Sequence, residues 1–529
     1  MEKKVGIIGA GISGLLACKY TLEIGLNPVV FEATERVGGV WGHTIESTKL
    51  QNVKETYQFS DFRWPNSVKE AHPTHTQMME YLESYARHFN LYQCIKFNSK
   101  VIDIDYVGES YEEMKSWDFW GGNGRAFGSK GKWHIRVQHT KNGTLEVYEA
   151  DFVILCIGQF SGFPNIPEFG ENQGPEIFHG KLMHSMEYSA MERPRSKELI
   201  RGKRVTIIGS HKSAVDIAAE CANINGPDLP CTMIRRSCHW FLPSNYTTVF
   251  GISLGFLYGN RFSELTTHKP GETFLHCIFA TLLSPLRWVI SKFVEFYIKW
   301  NVPLKKHGMV PQHSFFEDIS SCQIGMLPEN FYDKVEEGSI VLKKAQSFAF
   351  CNQGLILDGE AKPLETDVVI LATGYKGDLK LKSIFASQMF QELMMGSADS
   401  IVPLHRQIIN PRIPGLAVIG YSESFSNLGS SEMKCQWLAH FLSGNFELPS
   451  IWDMEKEIRV WGDYIKKLAG RHYRRSCISN IYIWYCDQLC KDIGCRSRRK
   501  KGFLAELFEP YGPTDYAALS SVSTKSKTS

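Results

Sequence analysis

The sequence predicts an α/β protein built on two nested strand–turn–helix–strand units, and three observations carry that reading. "KVGIIGAGISGLLACKYTLEIGLNPVVFEA" (4–33) runs from an apolar strand through a glycine-rich turn into a helix and a second strand. "KRVTIIGSHKSAVDIAAECA" (203–222), followed by "CTMIRRS" (231–237), repeats that order far along the chain. Three further apolar runs, "ADFVILCIGQFS", "TDVVILATGY" and "PGLAVIGY", read as strands buried on both faces. Parallel sheets covered by helices on both sides are built from such units. The expected fold is therefore two nested Rossmann-like dinucleotide-binding domains.

The elements follow in order. After the first unit, "HTQMMEYLESYARHFN" (75–90) has the apolar spacing of a helix. Strands are expected at Val101–Tyr106 and Lys132–His139, around the glycine-rich loop "WDFWGGNGRAFGSKG". A helical region of mixed character spans about Phe250–Asp333, and "SSEMKCQWLAHFLSG" closes a helix at Ser430–Gly444. Expected domains are 1–170 (first unit), 171–335 (second unit with a helical insertion), 336–445 (return to the first) and 446–529 (helical extension ending in the polar tail "SSVSTKSKTS").

Bulk properties narrow the class. With 529 residues, 43% hydrophobic and 22% charged, the chain can bury a large core. A net charge of +3 is too small to argue for a nucleic-acid partner or a membrane surface. The basic run "RSRRKKG" (496–502) reads as a solvated loop. Fourteen cysteines show no framework of pairs, which predicts free thiols in a reducing compartment. The apolar run Phe274–Leu283 is too short to span a bilayer, and Pro285 and Arg287 follow it; a buried or surface-docked helix is expected. With a strand starting at once and no secretory leader, the expected location is cytoplasmic. No metal site is expected, and the oligomeric state stays open.

The first turn is the strongest motif. Gly9, Gly11 and Gly14 complete G-x-G-x-x-G directly after a strand, with Ala10, Ile12 and Ser13 between and beside them. The first glycine makes the turn, the second admits a pyrophosphate, and the third lets helix and strand pack closely. Glu32 ends the next strand, where a carboxylate accepts from a ribose diol. The two glycines of "RVGGVW", with Gly39, Val40 and Trp41 at its end, favour FAD over NAD as the dinucleotide.

Further residues narrow the family. "FHGKLMHSMEY" places Phe178, Gly180, His184 and Tyr188 in the pattern F-x-G-x-x-x-H-x-x-x-Y, and "ATGY" stands at Ala372–Tyr375. With the FAD half, these resemble the flavin-containing monooxygenases, class B flavoproteins, over about Lys3–Gly444. "HSFFEDISSCQIGMLPENFYDKV" and "DQLCKDIGCRSRRKKGFLAELFEPYGPTDY" resemble the plant branch that includes N-hydroxylating pipecolate monooxygenase, and extend the likeness to about residue 516.

The resemblance implies an enzyme using FAD, NADPH and molecular oxygen through a C4a-hydroperoxyflavin. Its substrate would be a small-molecule amine, an amino acid or a thioether, with no nucleic-acid partner and no membrane span. The cofactor carries the difficult chemistry, so few catalytic side chains are expected. Asn52, with Gln51 beside it, matches the family's asparagine loop at the flavin; the plainer alternative is a turn-forming asparagine. His184 reads as a tie between domains rather than a proton donor.

The second turn departs from the pattern. Gly209, Ser210, Ser213 and Ala214 keep the turn, but His211 replaces the middle glycine, and Lys212 follows. Arg235 and Arg236 end the next strand, where cations meet the 2′-phosphate of NADPH. NADPH is the expected second cofactor, with His211 and Lys212 compensating by added charge. Three functions stay open: an amine N-hydroxylase, a thioether S-oxygenase, or a flavoprotein sensor with impaired NADPH turnover.

Overall fold

The computed structural model describes residues 2–243, 248–250 and 252–520. Residues 521–529, which hold all but the first residue of the expected polar tail, lie outside the described residues.

The short apolar runs form two five-stranded sheets. The first orders Leu416–Val418, Phe152–Leu155, Lys4–Ile8, Asn27–Phe31 and Ile95–Lys96, every neighbouring pair parallel. The second orders Ile340–Lys344, Cys231–Arg235, Val205–Ile208, Val368–Leu371 and Lys181–His184, again all parallel. Phe152–Leu155, Val205–Ile208 and Val368–Leu371 are buried at every position, as strands covered on both faces must be. Ile8 aligns with Phe31 and Leu155, and Ile208 with Ile234 and Leu371. Each register brings a glycine turn, at Gly9 and at Gly209, to the carboxyl edge of its sheet, where such folds bind ligands.

Three expectations are corrected. The stretch 336–445 was assigned to the return of the first domain, yet Ile340–Lys344 and Val368–Leu371 belong to the second sheet. The chain regains the first sheet only at Leu416–Val418. Nor is 446–529 a separate unit: Met454, Trp461, Tyr485 and Leu489 of the helices Ile451–Ala469 and Tyr482–Ile493 join the core around the first sheet. Finally, the cysteines are not all free, because Cys322 and Cys477 form a disulfide across 155 positions, with Cα atoms 5.6 Å apart.

Helix boundaries fall near their expected places. Thr74 caps the helix His75–His88 by accepting from the Gln77 N–H, while Gln77 reaches back to the Thr74 N–H. The helix Asn427–Leu442 begins three residues before the expected start and is buried from Leu428 onward, wedged between the helices Ile12–Glu23 and Tyr482–Ile493. The apolar run at Phe274 belongs to a 28-residue helix, Phe274–Asn301, that continues through Pro285 and Arg287. Among the described residues it is the one helix long and apolar enough to cross a bilayer.

Candidate active site between two dinucleotide-binding turns

At the first turn, three glycines are required for different reasons. Gly9 has φ +102°, a conformation that side chains rarely adopt, and a Cβ there would lie 2.6 Å from the Cys156 carbonyl oxygen. A Cβ on Gly14 would meet the Gly9 carbonyl oxygen at 1.8 Å, so this position sets how closely helix and turn pack. Gly11 is unlike both. Its φ is −74°, and its Cβ would find only the Gly39 Cα, at 3.5 Å. Neither the backbone nor the protein's packing demands glycine at 11, which leaves close approach of a bound group as the reason for it. The residues present therefore fit a dinucleotide pyrophosphate.

The surroundings agree with that fit. Ile12 opens the helix Ile12–Glu23, and Ser13 Oγ bonds to Ser431 Oγ at 3.2 Å. Glu32 is buried at the end of its strand; one carboxylate oxygen accepts from the Ala10 N–H at 2.7 Å, and the other from the Thr34 N–H and hydroxyl. The oxygen that accepts from Ala10 retains a lone pair, so the carboxylate is held in place while still able to accept from a ribose. Gly38 and Gly39 both have positive φ and carry "GGVW" back over the first turn, the Gly38 N–H donating to the Ala10 carbonyl.

A cavity of about 1950 Å³ lies between the two sheets. That is roughly twice the upper end for a single drug-sized ligand and has room for more than one bound group. Val40, Trp41, Gln51 and Asn52 line it from the first domain, and Gly209–Ser213 with Arg235 and Arg236 from the second. Gly9–Gly14 and Glu32 lie outside its lining, and Ala214 is buried within its helix.

Gln51 and Asn52 join the parts of the molecule. Gln51 Oε1 accepts from the Met326 N–H at 3.0 Å, on the second domain. Asn52 Nδ2 donates to the Phe425 carbonyl at 2.6 Å, just before the helix Asn427–Leu442. An amide nitrogen carries two hydrogens, so one N–H of Asn52 remains available on the cavity wall. His72 fixes the loop from behind: its Nδ1 is 3.1 Å from the carbonyls of both Leu50 and Asn52, which requires the proton on Nδ1.

The second turn answers the question raised by its missing glycine. Gly209 keeps the tight turn, with φ +148° and a would-be Cβ 2.4 Å from the Ala372 carbonyl oxygen. His211 occupies the cap position with φ −103°, which any residue adopts. Its Nε2 lies 2.7 Å from the Gln323 carbonyl, so it donates there, sideways across the cavity wall. Lys212 does not supply the expected free charge: its Nζ is 2.6 Å from Asp216, which also accepts from Thr48. Burial raises the Asp216 pKa, opposed by Lys212. Arg235 is also committed, Nη2 donating to the Gly308 carbonyl at 2.7 Å and Nη1 to Cys238 Sγ, while its Nε is buried without an acceptor among the described residues. Arg236 stands exposed on the wall. Expected compensation by His211 and Lys212 is thus corrected: both donors are used within the protein, and Arg236 is an exposed cation on the wall.

His184 caps the short helix Ser185–Ser189, its Nδ1 accepting from the Met186 N–H, and its ring meets Tyr375 of "ATGY" edge-on at 5.4 Å. Burial lowers its pKa. Those contacts suit a tie between the domains.

Sequence reasoning missed several wall residues. His239, His313 and Asp318 cluster beside His211, with His313 Nε2 2.7 Å from Asp318 and the His211 and His239 rings 5.2 Å apart. Burial works against ionisation of Asp318, but the His239 ring 3.7 Å away and hydrogen bonds from His313 and the Trp240 N–H hold its pKa at about 2. Glu264 is buried in the wall and accepts from the N–H groups of Ile483 and Trp484; burial raises its pKa to about 6. Tyr482, Ile483 and Tyr511 reach the cavity from the C-terminal extension, and Glu423 from the loop before the central helix. No local spacing announces any of them. The disulfide to Cys477 fixes Cys322, next to the Gln323 carbonyl that holds His211.

Known proteins match this arrangement. The family model described as flavin-binding monooxygenase-like matches residues 2–506. A probable flavin-containing monooxygenase 1 of Arabidopsis thaliana is 40% identical over 524 residues, covering 97% of this chain and 96% of that protein. A putative flavin-containing monooxygenase 2 of the same plant is 36% identical, with 94% and 98% covered. Among solved structures, an oxidised steroid monooxygenase bound to NADP has a TM-score of 0.64 at 17% identity, covering 93% of this chain and 97% of that one. An S-allyl-L-cysteine S-oxygenase from Allium sativum has a TM-score of 0.58 at 18% identity, with 94% and 89% covered. These two structures share the class B flavoprotein fold. With both turns and a cavity lined from both domains in place, the chain belongs to the flavin-binding monooxygenases, in their plant branch, and is an FAD- and NADPH-dependent monooxygenase.

Proposed function

We propose that this enzyme N-hydroxylates an amine or an amino acid of the pipecolate type. The observation that supports the reading is that the two stretches resembling the plant branch with N-hydroxylating pipecolate monooxygenase, 313–335 and 487–516, both reach the cavity wall, at Asp318 and at Tyr511.

The bound FAD, reduced by NADPH, supplies the oxygen-activating chemistry and transfers one oxygen atom of O₂ to the substrate. The chain's own residues bind and orient. Gly9–Gly14 and Glu32 would hold the FAD pyrophosphate and ribose, and Arg236 would meet the 2′-phosphate of NADPH. Asn52 keeps one N–H directed at the reacting region, while its bond to Phe425 fixes the angle of the amide. Tyr482, Ile483 and Tyr511 line the cavity from the C-terminal extension and would shield that part of it from water.

S-oxygenation of a thioether is the second reading, favoured by the S-oxygenase among the structural neighbours. A sensor with impaired turnover is the third, favoured by the internal commitment of Lys212 and His211. NADPH oxidation separates them when measured with no substrate, with cyclic amino acids and with thioethers. Stimulation by the amine with N-hydroxylated product supports the proposal. Stimulation by the thioether alone, or by neither, overturns it.

A further inference from the structure

The helix Phe274–Asn301 is apolar on two opposite faces. Inward, it buries Ala280, Val294 and Ile298, and Ser291 Oγ and Glu295 accept the N–H groups of Phe316 and Phe315. Outward, Leu275, Leu282, Leu286, Val289, Phe296 and Trp300 are 67%, 70%, 36%, 52%, 55% and 74% exposed. Their spacing of three, four or seven residues gathers them in an arc of roughly 80°, opposite the buried set, at 100° per residue. Single exposed apolar residues are ordinary on soluble proteins, but a continuous stripe along about 40 Å of helix is not.

Neighbouring segments extend the patch. Phe250, 54% exposed, packs its ring 5.3 Å from that of Phe293. Phe503 and Leu504, 76% and 69% exposed, begin the helix Phe503–Phe508, which packs on Arg261–Leu265 beside the long helix.

Exposed cations flank this surface. Glu295 is the long helix's only carboxylate; it is 3% exposed, 2.8 Å from Lys292 and 3.8 Å from Lys299. Arg496, Arg498 and Lys501 stand exposed just before Phe503. Apolar side chains rich in Phe and Trp, bordered by Lys and Arg, match the boundary between acyl chains and acidic headgroups.

We propose that this surface docks on an anionic lipid bilayer. The long helix lies in the membrane plane, its outer face among the upper acyl chains and the flanking cations against lipid phosphates. Spanning would require releasing the bonds from Phe315 and Phe316. A two-fold pairing with a second copy would bring the same exposed cations of each chain, Arg496, Arg498 and Lys501, to one interface as like charges, whereas acidic headgroups neutralise them.

The test is flotation of the full-length, FAD-loaded enzyme with vesicles of phosphatidylcholine, with or without phosphatidylserine, at low and high salt. The enzyme should float with the mixed vesicles, and on the order of tenfold less with neutral vesicles or at high salt. Leu282→Glu combined with Phe296→Glu should cut flotation by at least about tenfold while FAD content and NADPH oxidation in solution stay unchanged. Should that variant lose its flavin, Leu282→Gln with Trp300→Gln carries the same expectation. Arg498→Glu with Lys501→Glu should abolish the preference for phosphatidylserine. Wild-type enzyme that floats with neither vesicle overturns the proposal. So do variants that float undiminished, or a wild-type dimer that the apolar substitutions split into monomers while neither form floats.

Discussion

Replacing Gly11 and Gly14 by alanine separates binding from folding at the first turn. At Gly14 the added methyl would sit 1.8 Å from the Gly9 carbonyl oxygen and 2.9 Å from its carbon. Helix and turn must move apart, which costs about 1–3 kcal/mol as overpacking, with this contact at the upper end. At Gly11 the methyl would lie 3.5 Å from the Gly39 Cα, an ordinary contact, at φ −74°. Alanine there reduces unfolded-state entropy, worth about 0.4–1 kcal/mol, and is a poorer cap by a similar amount, so the stability change is near zero. Binding should behave in the opposite way. A methyl at Gly11 occupies the approach of the pyrophosphate, and losing one charge-assisted hydrogen bond of about 1.5–3 kcal/mol weakens FAD by roughly 10- to 150-fold. Because bound FAD itself stabilises the fold, stability is to be measured on flavin-stripped proteins by urea unfolding, and affinity by flavin fluorescence titration. Gly11→Ala should unfold with the wild-type protein yet hold FAD weakly; Gly14→Ala should unfold at lower urea. Wild-type FAD affinity in Gly11→Ala, or equal destabilisation of both stripped variants, would refute the assignment of this turn.

The other predictions concern the cavity. Asn52→Ala should retain FAD and NADPH but shorten the lifetime of the transient absorbance formed when reduced enzyme meets oxygen; an unchanged lifetime in stopped-flow removes Asn52 from the chemistry. Arg236→Ala should raise KM for NADPH by about tenfold or more, from the loss of a charged hydrogen bond, and leave KM for NADH unchanged; equal effects on both would place the 2′-phosphate elsewhere. His211→Gly should open room at the pyrophosphate and lower KM for NADPH with less peroxide released, while losing the Gln323 bond destabilises the fold by about 1 kcal/mol; a higher KM would make the imidazole a ligand. Burial lifts the Glu264 pKa from the ordinary 4.5 to about 6, so the folded state binds the extra proton. Stability should therefore fall, by about 2 kcal/mol, as pH rises from 4.5 through 6, and Glu264→Gln should flatten that slope in urea unfolding; an unchanged slope would show that Glu264 does not titrate there.

What the sequence reveals follows how local each feature is. The first turn, its helix and Glu32 occupy one continuous stretch, and backbone sterics with a single ligand dictate the pattern, so both cofactor and geometry were legible. Strand ownership was not. Phe152–Leu155, Val205–Ile208 and Val368–Leu371 are equally short and apolar, and only tertiary pairing assigns the third to the second sheet. The cavity wall was legible only in part. Gln51 and Asn52 are placed by contacts to Met326 and Phe425, and Glu264 by backbone N–H groups more than 200 residues away. The disulfide escaped notice for the same reason, since its partners share no spacing motif.

At the second turn a motif has lost one letter without losing its geometry. The middle position of the first turn has φ −74° and that of the second −103°, so neither needs glycine for its backbone. Glycine matters there only for what may approach. His211 solves the steric problem by rotating to the Gln323 carbonyl, on a segment that the Cys322–Cys477 disulfide and the Asp318 cluster hold in place. Lys212, which a charge count would credit to the phosphates, is neutralised by Asp216 one helical turn on. On the reading proposed above, recognition of NADPH would shift from the turn to the end of the next strand. The substituted motif remains compatible with a working monooxygenase because its Arg236 has no competing carboxylate among the described ion pairs.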